Sequence, residues 1–246
     1  RALDGVSVLY NTYWVRFNYK SFSHHQAVRN TMALFQAACE AGVKRIVHVS
    51  ISNPSEQSEL EYFSAKAQLE HALQTIGVSY CILRPTVLFG REDILINNIA
   101  WALRHFPVFA IFGDGRYRIR PIYVDDLAQL AVREGASRVN AIVEAVGPQS
   151  FTYRELVRAI GLSIGRPRPL VSVPPGLGYW MGWVLGRMNG DVMITREEIA
   201  GLMQGRLDVD GPAAGLTRLT DWVRRHRHLI GRTYASELAR RRPGRG

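Results

Sequence analysis

Apolar positions change their period several times along the chain, and each change marks an element. Val6 to Asn11 is a short run of β-branched and apolar residues. Ser23 to Ala41 repeats Ala27, Met32, Leu34, Phe35 and Ala38 at helical spacing and stops at Gly42, a residue type suited to the left-handed turn that ends helices. Arg45 to Ser50 shows no polar alternation beyond His48, the pattern of a strand covered on both faces. A polar loop, Ser52 to Ser58, leads into a helix from about Leu60 to Ile76 that Gly77 closes, and Val78 to Leu83 is the next buried strand. Strands alternating with helices at this spacing imply right-handed crossovers, so the fold class is α/β with an open parallel sheet.

Beyond Gly90 the pattern loosens. Asp93 to His105 reads as a helix, Pro107 to Phe112 as an apolar segment, and Gly113, Asp114 and Gly115 as a tight turn. Arg120 to Val124 is a strand running into Asp125, expected as the N-cap of a helix that reaches about Val132, and Ala141 to Val146 is a further strand. From Phe151 onward the chain is mostly helical: Tyr153 to Ile164, a strand at Leu170 to Val173, then Gly176 to Met188, Thr195 to Met203 and Thr217 to Arg225. The domains expected are therefore 1–148, with an excursion over about 91–118 toward a second lobe, and that smaller lobe, 149–246, with a basic tail.

Composition narrows the class. A chain of 246 residues, 47% hydrophobic and 21% charged, is an ordinary globular protein. The net charge of +10 raises nucleic acid as a partner, but the basic residues are scattered, so no nucleic-acid surface is expected. Arg240, Arg241, Arg242 and Arg245 read as a frayed, solvated end. Cys39 and Cys81 sit among apolar neighbours without metal-ligand spacing, as reduced thiols of a cytoplasmic protein would. No metal site is expected, since the pairs His24 with His25 and His226 with His228 lack acidic or thiol companions at ligand spacing. Tyr10, Tyr13, Trp14, Phe17 and Tyr19 read as core and pocket wall, with Tyr13, Trp14 and Arg16 placed to line a cleft at a strand end.

Leu170 to Gly186 carries no charge, yet Pro174 and Pro175 cut it short of a membrane span. Gly178, Gly182 and Gly186 keep the small-residue spacing that lets helices approach closely. A buried helix of the second lobe and a membrane-peripheral or protein-partner contact both remain open.

Tyr62 and Lys66 are the most informative pair. Four positions apart on the second helix, they lie on one face one turn apart. A tyrosine with a pKa near ~10 is a poor acid-base group at neutral pH, and an adjacent lysine cation favours its phenolate.

Their neighbours carry a family resemblance. The helix with Asn30 leading to Ala41–Ser52, then Tyr62 and Lys66, then Ile82–Gly90, then Arg120–Ala128, occur in the order seen in the short-chain dehydrogenase/reductase superfamily. The chain resembles its extended and atypical members, the NAD-dependent epimerase/dehydratase and NmrA-like groups. The resemblance implies a Rossmann-type sheet with NAD or NADP as cofactor, Tyr62 as general acid-base, Lys66 as its tuner and ribose ligand, and Ser52 or Ser50 orienting the reacting oxygen. It also implies cofactor contacts from Asn11, Pro85, Thr86 and Val87, and a structural role for Asp125 and Asp126. The superfamily's glycine-rich pyrophosphate turn does not occur in these 246 residues. Arg1 matches a point just before the fourth strand of the expected sheet, which predicts a natural segment ahead of it, an edge position for Val6 to Asn11 and only a partial dinucleotide site in this chain. Two functions follow: an NAD(P)-dependent oxidoreductase or epimerase acting on an unknown small molecule, or a non-catalytic NAD(P)H-binding sensor or assembly subunit, NmrA-like or resembling a complex I accessory subunit.

Overall fold

The computed structural model describes residues 2–20 and 22–241. The amino-terminal elements are β1 (Val8–Asn11), α1 (His24–Glu40), β2 (Arg45–Val49), α2 (Glu61–Thr75) and β3 (Ser79–Pro85). There follow β4 (Leu88–Phe89), α3 (Leu95–His105), β5 (Phe109–Phe112), β6 (Arg118–Ile119), β7 (Ile122–Tyr123), α4 (Val124–Ala136) and β8 (Ala141–Ala145). The carboxy-terminal elements are β9 (Phe151–Thr152), α5 (Tyr153–Ser163), β10 (Leu170–Val173), α6 (Pro175–Met188), α7 (Arg196–Met203), α8 (Leu219–Arg225) and α9 (Glu237–Arg240). They form two compact units. The first comprises Arg1–Thr86, Asp125–Val146 and Val209–Gly215; the second comprises Val87–Val124, Gly147–Asp208 and Leu216–Gly246.

The first unit is a Rossmann-type parallel sheet in the order β1-β2-β3-β8, with β1 on the edge. Ser23 starts α1 by accepting a hydrogen bond from the Gln26 amide, and α1 packs beside α2. Their inward faces bury Phe35, Ala38, Leu69 and Leu73 against Ile46 and Ile82 of the sheet. Each fully buried Leu or Ile stabilises the unit by roughly 2 kcal/mol. Two arginines knit the strands to their surroundings. Buried Arg45 donates to the carbonyls of Glu134 (2.6 Å) and Val139 (3.0 Å) and to Ser79 Oγ (2.6 Å). Arg84 on β3 donates to Glu70 on α2 at 2.5 Å and pairs with Glu144 on β8.

Sequence and structure differ at α4. Asp125 is not the N-cap: the helix opens one residue earlier, at Val124, and runs to Ala136. Asp125 and Asp126 occupy its first turn, where carboxylates suit the positive helix end. The strand expected at Arg120 to Val124 is reduced to β7, paired in parallel with β4.

The second unit is built on Phe89, Ile99, Leu103, Leu156, Ile160, Trp222 and Val223. Short pairs, β5 with β10 and β6 with β9, flank this core. Helices α5 and α7 open on capping boxes, Thr152 with Glu155 and Thr195 with Glu198. The reading of α6 as a buried helix is corrected by the structure: only Gly178, Gly182 and Gly186 are buried, Tyr179, Val184 and Leu185 are half-buried, and Leu177, Trp180, Met181, Trp183 and Met188 are exposed. Among the described residues no helix is long and apolar enough to cross a membrane. Arg242 and Arg245 of the expected tail lie outside the described residues.

Candidate functional site

The carboxyl ends of β1, β2 and β3 carry Asn11, Ser50 and Pro85, the sheet end at which open α/β folds place ligands. Asn11 is buried and committed: its Nδ2 lies 2.9 Å from His48 Nδ1, and its Oδ1 accepts from the Tyr13 amide at 3.2 Å. Burial holds His48 well below the ordinary imidazole range, with the Lys66 charge adding to the effect. Ser50 and Ser52 are both buried, tied through their amides to the carbonyls of Leu83 (2.7 Å) and Pro85 (2.9 Å). The Ser50 hydroxyl has no hydrogen-bond partner among the described residues. Thr86 is buried at the end of the first unit, whereas Val87 opens the second, its carbonyl accepting from Ile122.

Tyr62 and Lys66 do share one face of α2, and what joins them is Trp14. The Lys66 Nζ lies 4.3 Å from the centroid of the Trp14 ring, and the Tyr62 ring meets the same indole edge-on at 5.8 Å. His24, at the start of α1, stacks on Trp14 at 5.7 Å and meets Tyr62 edge-on at 5.5 Å. Lys66 also donates to the Val49 carbonyl at 2.8 Å, which ties it to the end of β2. Only 2% of Lys66 is exposed. Burial, partly opposed by Glu70, brings its pKa from 10.5 down to about 7. A cation that is only partly present at neutral pH is a weak tuner of a neighbouring phenol.

This arrangement does not fit a nicotinamide ribose on Lys66. A ribose hydroxyl needs direct access to the amino group, and the indole and the Val49 carbonyl already cover it. The atoms left unsatisfied are others: Trp14 Nε1, both His24 ring nitrogens and Ser50 Oγ are buried without a hydrogen-bond partner among the described residues. Sequence reading placed Trp14 among core and pocket-wall aromatics at a strand end and considered His24 only as a metal ligand, which it set aside, because a stacked contact between loop and helix has no spacing signature.

The second unit holds a separate cavity of about 560 Å³, lined by Asp93, Asn97, Trp222, His226, Tyr234 and Arg240 among others. Asp93 caps α3, accepting from the Ile96 amide at 2.7 Å, and burial pushes its pKa up to about 6. No sequence motif announces this cavity, since its walls come from the start of α3 and from segments more than a hundred residues later.

No protein-family model matches the chain. It is 26% identical over 204 residues to the mitochondrial NADH dehydrogenase [ubiquinone] 1 alpha subcomplex subunit 9 of Rattus norvegicus, covering 81% of this chain and 54% of that protein. To a photosystem II assembly factor of Cyanidium caldarium it is 28% identical over 156 residues, 63% of this chain and 49% of that protein. The chain spans about half the length of the curated relatives it matches. Among solved structures it superposes on Citrobacter sp. triphenylmethane reductase complexed with NADP(H) with a TM-score of 0.73 at 19% identity, covering 91% of this chain and 78% of that one. An Escherichia coli NADPH-dependent quinone oxidoreductase complexed with NADPH gives 0.72 at 22% identity, with coverages of 90% and 77%. The fold is that of the NAD(P)-binding reductases.

Proposed function

We propose, from this chain's place in the extended and atypical branch of the short-chain dehydrogenase/reductase superfamily, that it belongs to a non-catalytic accessory or assembly subunit of a larger protein complex. The observation that carries this reading is Lys66 sealed beneath Trp14. A lysine that tunes a catalytic tyrosine has to face both the phenol and the bound nucleotide, and this one lies buried under an indole with one of its three N–H donors given to the Val49 carbonyl. The Tyr62–Lys66 pair then serves as packing for the end of the sheet. Two relatives point the same way, being named as a subunit of an NADH dehydrogenase subcomplex and as a photosystem II assembly factor.

The test is turnover by the full-length protein. NADPH offered with carbonyl or quinone acceptors is expected to be oxidised no faster than in buffer, and Tyr62→Phe is expected to leave nucleotide binding and complex assembly unchanged. Steady NADPH oxidation that falls by about a hundredfold or more in Tyr62→Phe would overturn the reading, because that is the size of a lost general acid.

A second reading, an oxidoreductase or epimerase, is favoured by one observation: Ser50 Oγ and Trp14 Nε1 are buried polar atoms without a hydrogen-bond partner among the described residues, which a polar ligand would satisfy. It requires Trp14 to leave Lys66. Tyr62 would then move the proton while Ser50 or Ser52 orients the oxygen, and the same turnover assay separates the two readings.

A further inference from the structure

Helix α6 of the second unit is inside out for a helix in water. Its buried stripe is Gly178, Gly182 and Gly186. A Cβ on Gly178 would stand 2.2 Å from the Phe112 ring, one on Gly182 2.7 Å from the Ile194 side chain, and one on Gly186 2.7 Å from the Asp191 carbonyl. With that side closed to anything larger than glycine, the bulky residues leave by the opposite face. Leu177, Trp180, Met181, Trp183 and Met188 are 48, 59, 37, 52 and 78% exposed. A contiguous apolar face of this kind on a globular unit marks an interaction surface.

The charge that flanks it in sequence points to the partner. No aspartate or glutamate occurs between Glu155 and Asp191, while the same stretch contains Arg158, Arg166, Arg168 and Arg187. The Arg187 guanidinium lies 6.0 Å from the Trp183 ring centroid, and that of Arg196 lies 4.8 Å from the Tyr179 ring. Asp191, the first acid beyond the helix, is buried, with its carboxylate held by the Tyr234 hydroxyl and by the amides of Glu237 and Leu238. A second copy of this face would set Arg187 and Arg196 against their own counterparts, with Glu197, beside Arg196 on α7, as the exposed acid next to them in sequence. An anionic bilayer accepts every component: tryptophans at the headgroup level, leucine and methionine at the acyl boundary, and arginines reaching for phosphates. A helix of 14 residues is about 21 Å long, suited to lying in the interface and too short to cross the bilayer.

We infer that the outer face of α6 lies on the surface of a membrane rich in anionic lipid. This inference does not draw on the reading of Tyr62 and Lys66. Flotation of the full chain with vesicles tests it, using phosphatidylcholine alone and an equal mixture of phosphatidylcholine and phosphatidylglycerol. The chain is expected to float with the mixed vesicles, to bind phosphatidylcholine alone much more weakly, and to be released by high salt. Trp180→Ser combined with Trp183→Ser is expected to weaken binding by on the order of tenfold or more, with an unchanged melting temperature because both side chains face solvent. Met188→Glu, at the most exposed apolar position of the helix, provides an independent variant expected to weaken binding in the same way. Absence of binding to the mixed vesicles overturns the inference, as does equal binding by the wild-type chain and both variants. Loss of self-association in the tryptophan variant, without loss of vesicle binding, would assign the face to a protein and overturn it as well.

Discussion

The amino group of Lys66 rests on the face of Trp14, 4.3 Å from the ring centroid, with its hydrogen bond given to the Val49 carbonyl. Removing the indole should return Lys66 to water. The chain has three lysines, so dimethylation with a carbon-13 label and NMR titration can resolve each one. Lys66 is expected to titrate near 7, with burial as the cause, and in Trp14→Ala to move upward toward the ordinary lysine value. A wild-type Lys66 titrating with Lys20 and Lys44 would refute the burial argument.

The same group predicts a pH-dependent stability. A lysine whose pKa drops from 10.5 to about 7 on folding binds fewer protons in the folded state between those values, so its cost is fully present below pH 7 and is relieved as pH rises toward 10. Lys66→Met should therefore gain on the wild type at pH 6 relative to pH 10, by roughly 3 kcal/mol. Denaturant unfolding at the two pH values measures the difference.

Asp93 gives the opposite sign. Its carboxyl, raised from 3.8 to about 6 by burial, binds more protons folded than unfolded, so stability attributable to it falls as pH rises from about 4 to 6 and is constant above. Asp93→Asn, which keeps an acceptor for the Ile96 amide, should lose that dependence. Its advantage over wild type should grow across this window by on the order of 2 kcal/mol, read as a widening gap between the melting temperatures of the two proteins.

The two faces of α6 should respond oppositely to substitution. Gly178→Ala puts a methyl group into the Phe112 ring and should destabilise by about 1–3 kcal/mol. Trp180→Ser on the exposed face should stay within about 0.5 kcal/mol. Chemical denaturation of the two single variants provides the comparison.

Much of the first unit was legible because its signals are local. Ser23 and Gly42 bracket α1, and the uninterrupted apolar run after Arg45 marks β2 as an inner strand. The start of α4 was misplaced because an aspartate is favourable both as a cap and in the first turn, and the sequence alone does not separate the two. At the site, the one-turn spacing of Tyr62 and Lys66 was readable, but their environment was not. Trp14 lies more than fifty positions before Lys66, and whether an indole lines a cleft or covers a cation depends on how the loop after β1 closes. The inverted α6 was half visible: the glycine spacing announced a close approach, yet only the contacts of Phe112, Ile194 and Asp191 show which side of the helix is closed.

The first unit is discontinuous in sequence, and this bears on how it is made. Its fourth strand, β8, pairs with β3 after an intervening stretch, Val87–Val124, that belongs to the other unit. The Arg45 guanidinium waits for carbonyls 89 and 94 positions downstream. During synthesis, β1, β2 and β3 must therefore stand as an incomplete sheet until the ribosome has released Ala145. The open side of β3 and the charge of Arg45 are exposed over that interval, which makes it the point at which a chaperone would matter most.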